Sequence, residues 1–416
     1  MNSRSKIFAW TLFDFANTAF SVIIVTVIYS RYFTNTISGG QRWLWGLAVS
    51  LSMIVAAILS PPLGATADSG HNRKRFLFAF TLVSVICTAL LFFVQPGMIF
   101  LGITLFILAN VGFEGGLVFY DSFLPSITSK TSYGRVSGYG FAMGYLGALV
   151  ILLIVAMILP ESSSPQYDFF VRLSFVISAS FFLIFSLPLF IIVQESGAIK
   201  SINGSVMRDG FDKAKNTFKA IFIKKEHPNI ARFLIAFVLY NDGILTVIAF
   251  AAIFAENILA MSDKDIIIFF AIVQTSAIFG SLVFGFISDK IGPKRTISIT
   301  LILWIAISLA AYFVQSVACF YIVALAAGIA IGSAQSASRS LMALLTPPER
   351  EAEFFGFYDG LCGKASAVVG PLIYGVIADA TSERVAAASI GIFFIAGFII
   401  LQRVEEPVRS SVEKAV

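Results

Sequence analysis

Long apolar runs alternate with short polar connections along the whole chain, on a period far too long for β-strands. The first run extends from Phe8 to about Phe33. Others cover about 43–67, 76–94, 98–125, 136–160 and 169–193, then, after a polar interval, 231–256, 265–288, 296–315, 317–345, 352–378 and 385–402. A helix needs about 20 apolar residues to cross a bilayer, and hydrocarbon leaves backbone N–H and C=O groups no partner outside their own segment. The pattern therefore predicts an all-α integral membrane protein with twelve transmembrane helices. The first run follows Arg4 and Lys6, is too long for a signal-peptide core, and lacks a small-residue cleavage site. It is expected to remain as the first membrane helix.

Composition agrees. The 416 residues are 58% hydrophobic and 13% charged, where a soluble domain carries about 25% charged residues. Soluble enzymes, disordered chains and secreted disulfide scaffolds are excluded. Cys87, Cys319 and Cys362 all lie in apolar runs and read as small hydrophobes. His71 and His227 are too few and too far apart for a usual metal site, so no metal, cofactor or catalytic residue is expected. The net charge of +5 is explained by placement. The N-terminus, the even-to-odd connections and the C-terminal tail hold 23 of the 29 basic residues, the opposite connections 5, and Lys364 lies within a span. By the positive-inside rule both termini are cytoplasmic, and nucleic acid is not a partner.

Two connections match. Gly64-Ala-Thr-Ala-Asp68-Ser-Gly-His71-Asn-Arg73-Lys74 follows the second span, and Gly285-Phe-Ile-Ser-Asp289-Lys-Ile-Gly292-Pro-Lys294-Arg295 follows the eighth. Glycine, aspartate and the basic pair each recur at an offset of 221 residues. This is an internal duplication, and it predicts two six-helix bundles, residues 1–193 and 231–403, with a cytoplasmic linker at 194–230 and a tail at 404–416. The linker contains Gly197, Gly204 and Gly210 and seven basic residues. Phe211, Ala214, Phe218 and Phe222 recur there at helical spacing opposite Lys213, Lys215 and Lys219, the pattern of an amphipathic helix on headgroups; a solvated linker is the other reading. In the repeated element, glycine admits a neighbouring backbone, the aspartate can cap another helix, and the basic pair anchors the loop.

The duplicated element resembles the loop signature G-x-x-x-D-x-x-G-x-[RK]-[RK] of the major facilitator superfamily. The second copy fits throughout; the first has His71 where glycine is expected, and His71 reads as a loop residue. Leu12-Phe-Asp14-Phe-Ala-Asn17, Tyr240-Asn241-Asp242-Gly243, Ser137-Gly-Tyr-Gly-Phe-Ala-Met-Gly144, Ser338-Arg339-Ser340 and Gly363-Lys364 with Gly370-Pro371 narrow the likeness. They are similar to the branch that includes the autophagy-related vacuolar amino-acid effluxers of fungi and uncharacterised bacterial permeases. The resemblance implies a substrate site near the midplane lined by helices 1, 4, 7 and 10, with Tyr145, Gln274 and Lys364 contributed by helices 5, 8 and 11. It also implies a multi-pass cell (inner) membrane protein, or a vacuolar or lysosomal one in a eukaryote.

Ionisable groups in hydrocarbon are costly and face a cavity by default. Asp14, Glu114, Asp121, Asp242, Asp359 and Lys364 are the candidates, Asp121 reading first as an interface residue. At about 1.5 Å per residue, Asp242 and Lys364 lie some 15 Å into their spans, and Asp14 and Asp359 about 8–10 Å. Asp14 and Asp242 occupy comparable places in helices 1 and 7, beside Asn17 and Asn241. Glu114 maps onto Gln335 in the repeat, so the halves differ there. On a regular helix Asp359 and Lys364 stand about 140° apart, which sends Lys364 to a carboxylate on another helix, Asp242 or Asp14 first. The glycines of helix 5 (Gly138, Gly140, Gly144, Gly147) read as packing sites, and Gly370-Pro371 as a hinge.

The expected function is secondary transport of a small polar solute, amino acids being the lead, by alternating access with efflux and proton coupling as options. No phosphate-binding G-x-x-x-x-G-K-[ST] loop occurs, so energy must come from a gradient. The expected partners are solute, protons and membrane lipids, with the protein a monomer. A lipid or lysolipid translocator on the same fold is the alternative. The candidate substrate or coupling residues are Asp14, Asn17, Glu114, Asn241, Asp242, Gln274, Gln335, Arg339, Asp359 and Lys364. Gly64, Asp68, Arg73, Lys74, Gly285, Asp289, Gly292, Lys294 and Arg295 are expected to serve conformational switching.

Overall fold

A computed structural model describes residues 3–70, 72–161, 163–195, 204–261 and 263–407. His71, Gly197 of the linker and the tail beyond residue 407 lie outside the described residues. Among the described residues, twelve helices are long and apolar enough to cross a membrane: α1 Ser3–Ile37, α2 Arg42–Gly70, α3 Arg73–Phe93, α4 Ile99–Ile127, α5 Lys130–Ile158, α6 Tyr167–Ile192, α7 Pro228–Leu259, α8 Ile268–Ile291, α9 Pro293–Phe313, α10 Val317–Leu345, α11 Glu351–Ala380 and α12 Glu383–Gln402. Among the described residues every regular element is helical. Isoleucine, leucine and phenylalanine side chains such as Phe100, Ile191, Ile322 and Ile392 stand exposed on these helices, as lipid-facing residues must.

Two spans depart from regular α-helix. α1 contains π-helical turns at Ser21–Val27 and Phe33–Ile37. α11 is assembled from Glu351–Phe355, a π-helical turn Gly356–Cys362, a short piece Gly363–Ala365 and, after an interruption at 366–368, Val369–Ala380. The expected hinge at Gly370-Pro371 thus lies a few residues earlier. Pro371 falls in the first turn of the following helix, where its missing N–H leaves no bond unmade.

The chain forms two compact units. The first comprises Met1–Phe123, Met143–Asp212 and Ala352–Gly360; the second comprises Leu124–Ala142, Lys213–Glu351 and Leu361–Val416. Neither follows the sequence repeat alone: α5 begins in the second unit and continues in the first, and α11 does the reverse.

An aromatic core holds the first unit. Trp10 stacks on Tyr120 with ring centroids 4.6 Å apart and donates its indole N–H to the Tyr120 carbonyl at 3.0 Å. Phe13 covers the other side of Tyr120 at 4.8 Å. Gly147 of α5 lies so close to α1 that a Cβ there would strike the Phe15 carbonyl.

In the second unit α8 and α10 meet through glycines. A Cβ at Gly280 would collide with the Ile329 carbonyl, one at Gly328 with the Val273 carbonyl, and one at Gly332 with the Ala277 carbonyl. Bilayer lipid supplies no hydrophobic drive for helix association, so backbone approach of this kind provides the packing. Gly332→Ala should push the helices apart and destabilise by about 1–3 kcal/mol, the usual cost of overpacking. Gly375→Ala, where nothing lies within 4 Å, should be neutral. Thermal unfolding of the purified variants in detergent checks both.

Candidate functional site

The two copies of the duplicated element end in equivalent bonds. In the first unit the Asp68 carboxylate accepts the backbone N–H groups of Ala352 at 3.2 Å and Glu353 at 2.9 Å. These are donors of the first turn of α11, which have no partner within their own helix. Gly64 makes the approach possible, since a Cβ there would collide with the Ala352 carbonyl. In the second unit the Asp289 carboxylate accepts Gly134 N–H at 2.8 Å, Arg135 N–H at 3.3 Å and the Arg135 guanidinium at 2.7 Å. Here a glycine pair gives the room: a Cβ on Gly285 would stand 2.9 Å from the Gly134 carbonyl. Both carboxylates are shielded, with 6% and 8% of the side chain exposed. Each joins a favourable charge–dipole contact to charge-assisted hydrogen bonds.

The basic pairs are held in turn. Backbone N–H groups of Arg73 and Lys74 donate to Glu195 at 2.8 and 3.1 Å, and the Arg73 guanidinium lies 3.5 Å from Glu195 and 3.9 Å from Asp68. Lys74 donates to the Val193 carbonyl at 2.7 Å. In the second copy Lys294 N–H donates to Glu406 at 3.3 Å and its ammonium to the Gln402 carbonyl at 2.9 Å; Arg295 is exposed. Gly292 has a φ of +96°, a conformation that suits glycine. Glu195 and Glu406 were missed in the sequence, although each follows the last span of its half directly.

Arg339, 2% exposed, belongs to the second of these junctions. It donates to the Ser137 hydroxyl and carbonyl, both at 2.9 Å, and its guanidinium lies 4.1 Å above the Phe141 ring. Ser340 donates to the Tyr133 carbonyl at 3.1 Å, and Ser137 to the Ser336 carbonyl at 2.9 Å. The end of α10 is therefore bonded to the first two turns of α5.

Other buried polar groups are distributed between the units. In the first, Asp14 and Asn17 are buried on α1, with the Asn17 amide 3.5 Å from the Asp14 carboxylate. Glu114 and Asp121 are buried on α4, and Asp359 is half-buried on the π-turn of α11. In the second, Asp242 accepts the Gly370 N–H at 2.9 Å from each carboxylate oxygen, and so caps the second half of α11. Its neighbour Asn241 donates to the Ser366 hydroxyl at 2.5 Å, and Ser366 donates to the Gly363 carbonyl at 2.8 Å. The Asn241-Asp242 pair thus holds both sides of the interruption in α11. Lys364 is half-buried beside it, and Gln274 and Gln335 are half-buried on α8 and α10. The π-turn also changes one expectation. Its hydrogen bonds run from i to i+5, so the 140° of a regular helix does not apply between Asp359, inside the turn, and Lys364, beyond it. An apolar cavity of about 60 Å³ lies between Phe250, Phe254, Phe269, Phe320 and Tyr374. It is smaller than the ~150 Å³ that admits benzene, and its lining is almost wholly apolar.

A family model described as "Vacuole effluxer Atg22 like" matches residues 45–414. The chain belongs to this family. Among its relatives is an uncharacterized MFS-type transporter, YxiO, of Bacillus subtilis, 29% identical over 98% of this chain and 96% of its own length. Autophagy-related protein 22 of Pichia angusta is 25% identical over 80% of this chain and 69% of its own. The fold matches a fucose:proton symporter in the outward conformation, with a TM-score of 0.77 at 12% identity over 97% of this chain and 98% of that one. It also matches the human organic anion transporter MFSD10, with a TM-score of 0.74 at 13% identity over 97% of this chain and 100% of that one. The Atg22-like chain has the major facilitator fold and is a multi-pass membrane transporter.

Loss of a capping side chain costs about 0.5–2 kcal/mol. Asp68→Ala should therefore raise hydrogen exchange several-fold at 352–355 and leave 133–137 unchanged; Asp289→Ala should do the opposite. Exchange mass spectrometry on the two variants reads both segments at once.

Proposed function

We propose that the chain is a secondary active transporter that exports a small polar solute of the amino-acid class by alternating access, driven by a proton gradient. In this reading the basic connections and both termini face the cytoplasm, and the membrane is the cell membrane of a bacterium. The observation that carries it is the pair of matched carboxylate caps. Each joins a loop from one half of the repeat to a helix start from the other half, and each is made of a few bonds that can open without unfolding a helix. The effluxer family supports the direction, and the resemblance of the span motifs to vacuolar amino-acid effluxers suggests the solute class. The neighbouring fold of a proton symporter supports the energy source.

Within this proposal Asp242 is the proton acceptor. As a carboxylate it favours the N-terminus of the second half of α11; as a neutral acid it loses that charge–dipole attraction. Protonation therefore loosens the α11 interruption. Asp242→Asn, measured as uptake into proteoliposomes under an imposed pH gradient, should abolish the response to the gradient. Full transport with intact gradient sensitivity would assign coupling elsewhere, with Asp14 and Glu114 next.

Lys364 in this proposal meets the solute carboxylate. A thermal-shift screen against amino acids, peptides, nucleosides, sugars and lipids should show selective stabilisation by one amino-acid class, by mass action. A response to lipids alone would favour lipid translocation instead. Lys364→Met should then give a folded protein with no solute-dependent shift. Lys364→Arg should also fail, because a planar guanidinium fork does not replace a compact ammonium. Undiminished binding by a folded Lys364→Met protein would remove Lys364 from the site.

A further inference from the structure

The linker helix, Gly204–Phe218 with the π-turn Lys219–Ile223, has no part in the transport reading above. At about 100° per residue its side chains sort into rows. Gly210, Ala214, Thr217 and Ile221 fall in one row, and all four are buried. A Cβ at Gly210 would collide with the Thr66 hydroxyl of α2, and Thr217 accepts the Arg350 guanidinium at 2.5 Å. This row is the seated face.

About a quarter-turn round lies a second row. Phe211 and Phe218 are 44% and 42% exposed. Phe222 shares the row, its ring centroid 5.0 Å from that of Phe218. Arg208, Lys215 and Lys219 form a third row beside the aromatics, all exposed. Asp209 and Asp212 fall beyond it, away from the phenylalanines. A helix with one seated face in water would place polar residues on every other face. Here a partly exposed aromatic row runs alongside a cationic one, and residues 204–225 carry six basic side chains against two acidic. Aromatic residues below the headgroups, with long basic side chains reaching up to them, is the arrangement of an interfacial helix.

We propose that the linker helix binds anionic phospholipid in the surrounding bilayer. Phe211, Phe218 and Phe222 enter the acyl boundary, and Arg208, Lys215 and Lys219 meet lipid phosphates. Charge complementarity selects anionic over zwitterionic lipid, and the aromatic row selects a bilayer over an acidic protein. The helix seats at Thr66, two residues before Asp68, and at Arg350, two residues before Ala352.

Hydrogen exchange of the full chain in nanodiscs tests this, comparing phosphatidylcholine alone with a mixture containing about 30% phosphatidylglycerol. Amides 208–223 should exchange several-fold more slowly in the anionic discs. The difference should vanish at about 1 M salt, where the screening length is near 3 Å, and in the triple variant Arg208→Gln, Lys215→Gln, Lys219→Gln. The double variant Phe211→Ser, Phe218→Ser should lose it as well. Equal protection in both discs would mean that seating on the protein alone orders the helix, and would overturn the proposal. So would a lipid difference that survives in the triple variant, or protection gained from added polyglutamate but not from lipid. The two lipid compositions with unaltered protein decide the matter even if a variant does not fold.

Discussion

Hydrocarbon gives a backbone N–H nothing to bond to, and a helix begins with four such groups. Three shielded aspartates supply partners for helix-start N–H groups: Asp68 at the start of α11 and Asp289 at the start of α5, both in the basic connections, and Asp242, within a span, at the interruption of α11. Much of the surrounding sequence follows from the need to bring a carboxylate within 3 Å of another helix's backbone. Gly64, Gly134 and Gly285 clear the way at the outer caps. At the inner one a Cβ on Gly370 would stand 2.8 Å from an Asp242 oxygen.

The charges that a membrane protein can ill support are thereby given geometric tasks. Arg339 sits over Phe141 and bonds Ser137, so its charge holds α10 against α5. Glu195 and Glu406 fix the basic pairs by their backbone N–H groups. α11 carries one cap at its start and another in its middle, with a π-turn between them. A change in charge at either cap can alter its course.

Much of this was legible in the sequence because it depends on side chains. The twelve runs, the basic asymmetry and the 221-residue offset all leave residue-type signatures, and the aspartates could be named as caps. Their partners could not. Ala352, Glu353 and Gly370 offer only backbone N–H groups, which every residue but proline has. The angle between Asp359 and Lys364 assumed a regular helix, and nothing in Gly356–Cys362 announces a π-turn. Asp242 and Asp14 stand out in the sequence as carboxylates for Lys364, but the hydrogen bonds of Asn241 to Ser366 and of Asp242 to Gly370 need the tertiary structure to be seen.

The composition of the two units has a consequence for synthesis. The first unit is closed by Ala352–Gly360, which leaves the ribosome after ten spans, four of them (α7–α10) wholly of the second unit, while the second takes Leu124–Ala142 from early in the chain. Domains usually fold in order of emergence, but here the early spans must wait, inserted yet incomplete, for nine residues from near the end of the chain. During that interval Asp68 lacks its backbone donors, and the Gly64 face of α2 stands open to lipid or to an assisting insertase. A nascent chain arrested before residue 351 therefore holds ten of the twelve spans without holding either unit complete.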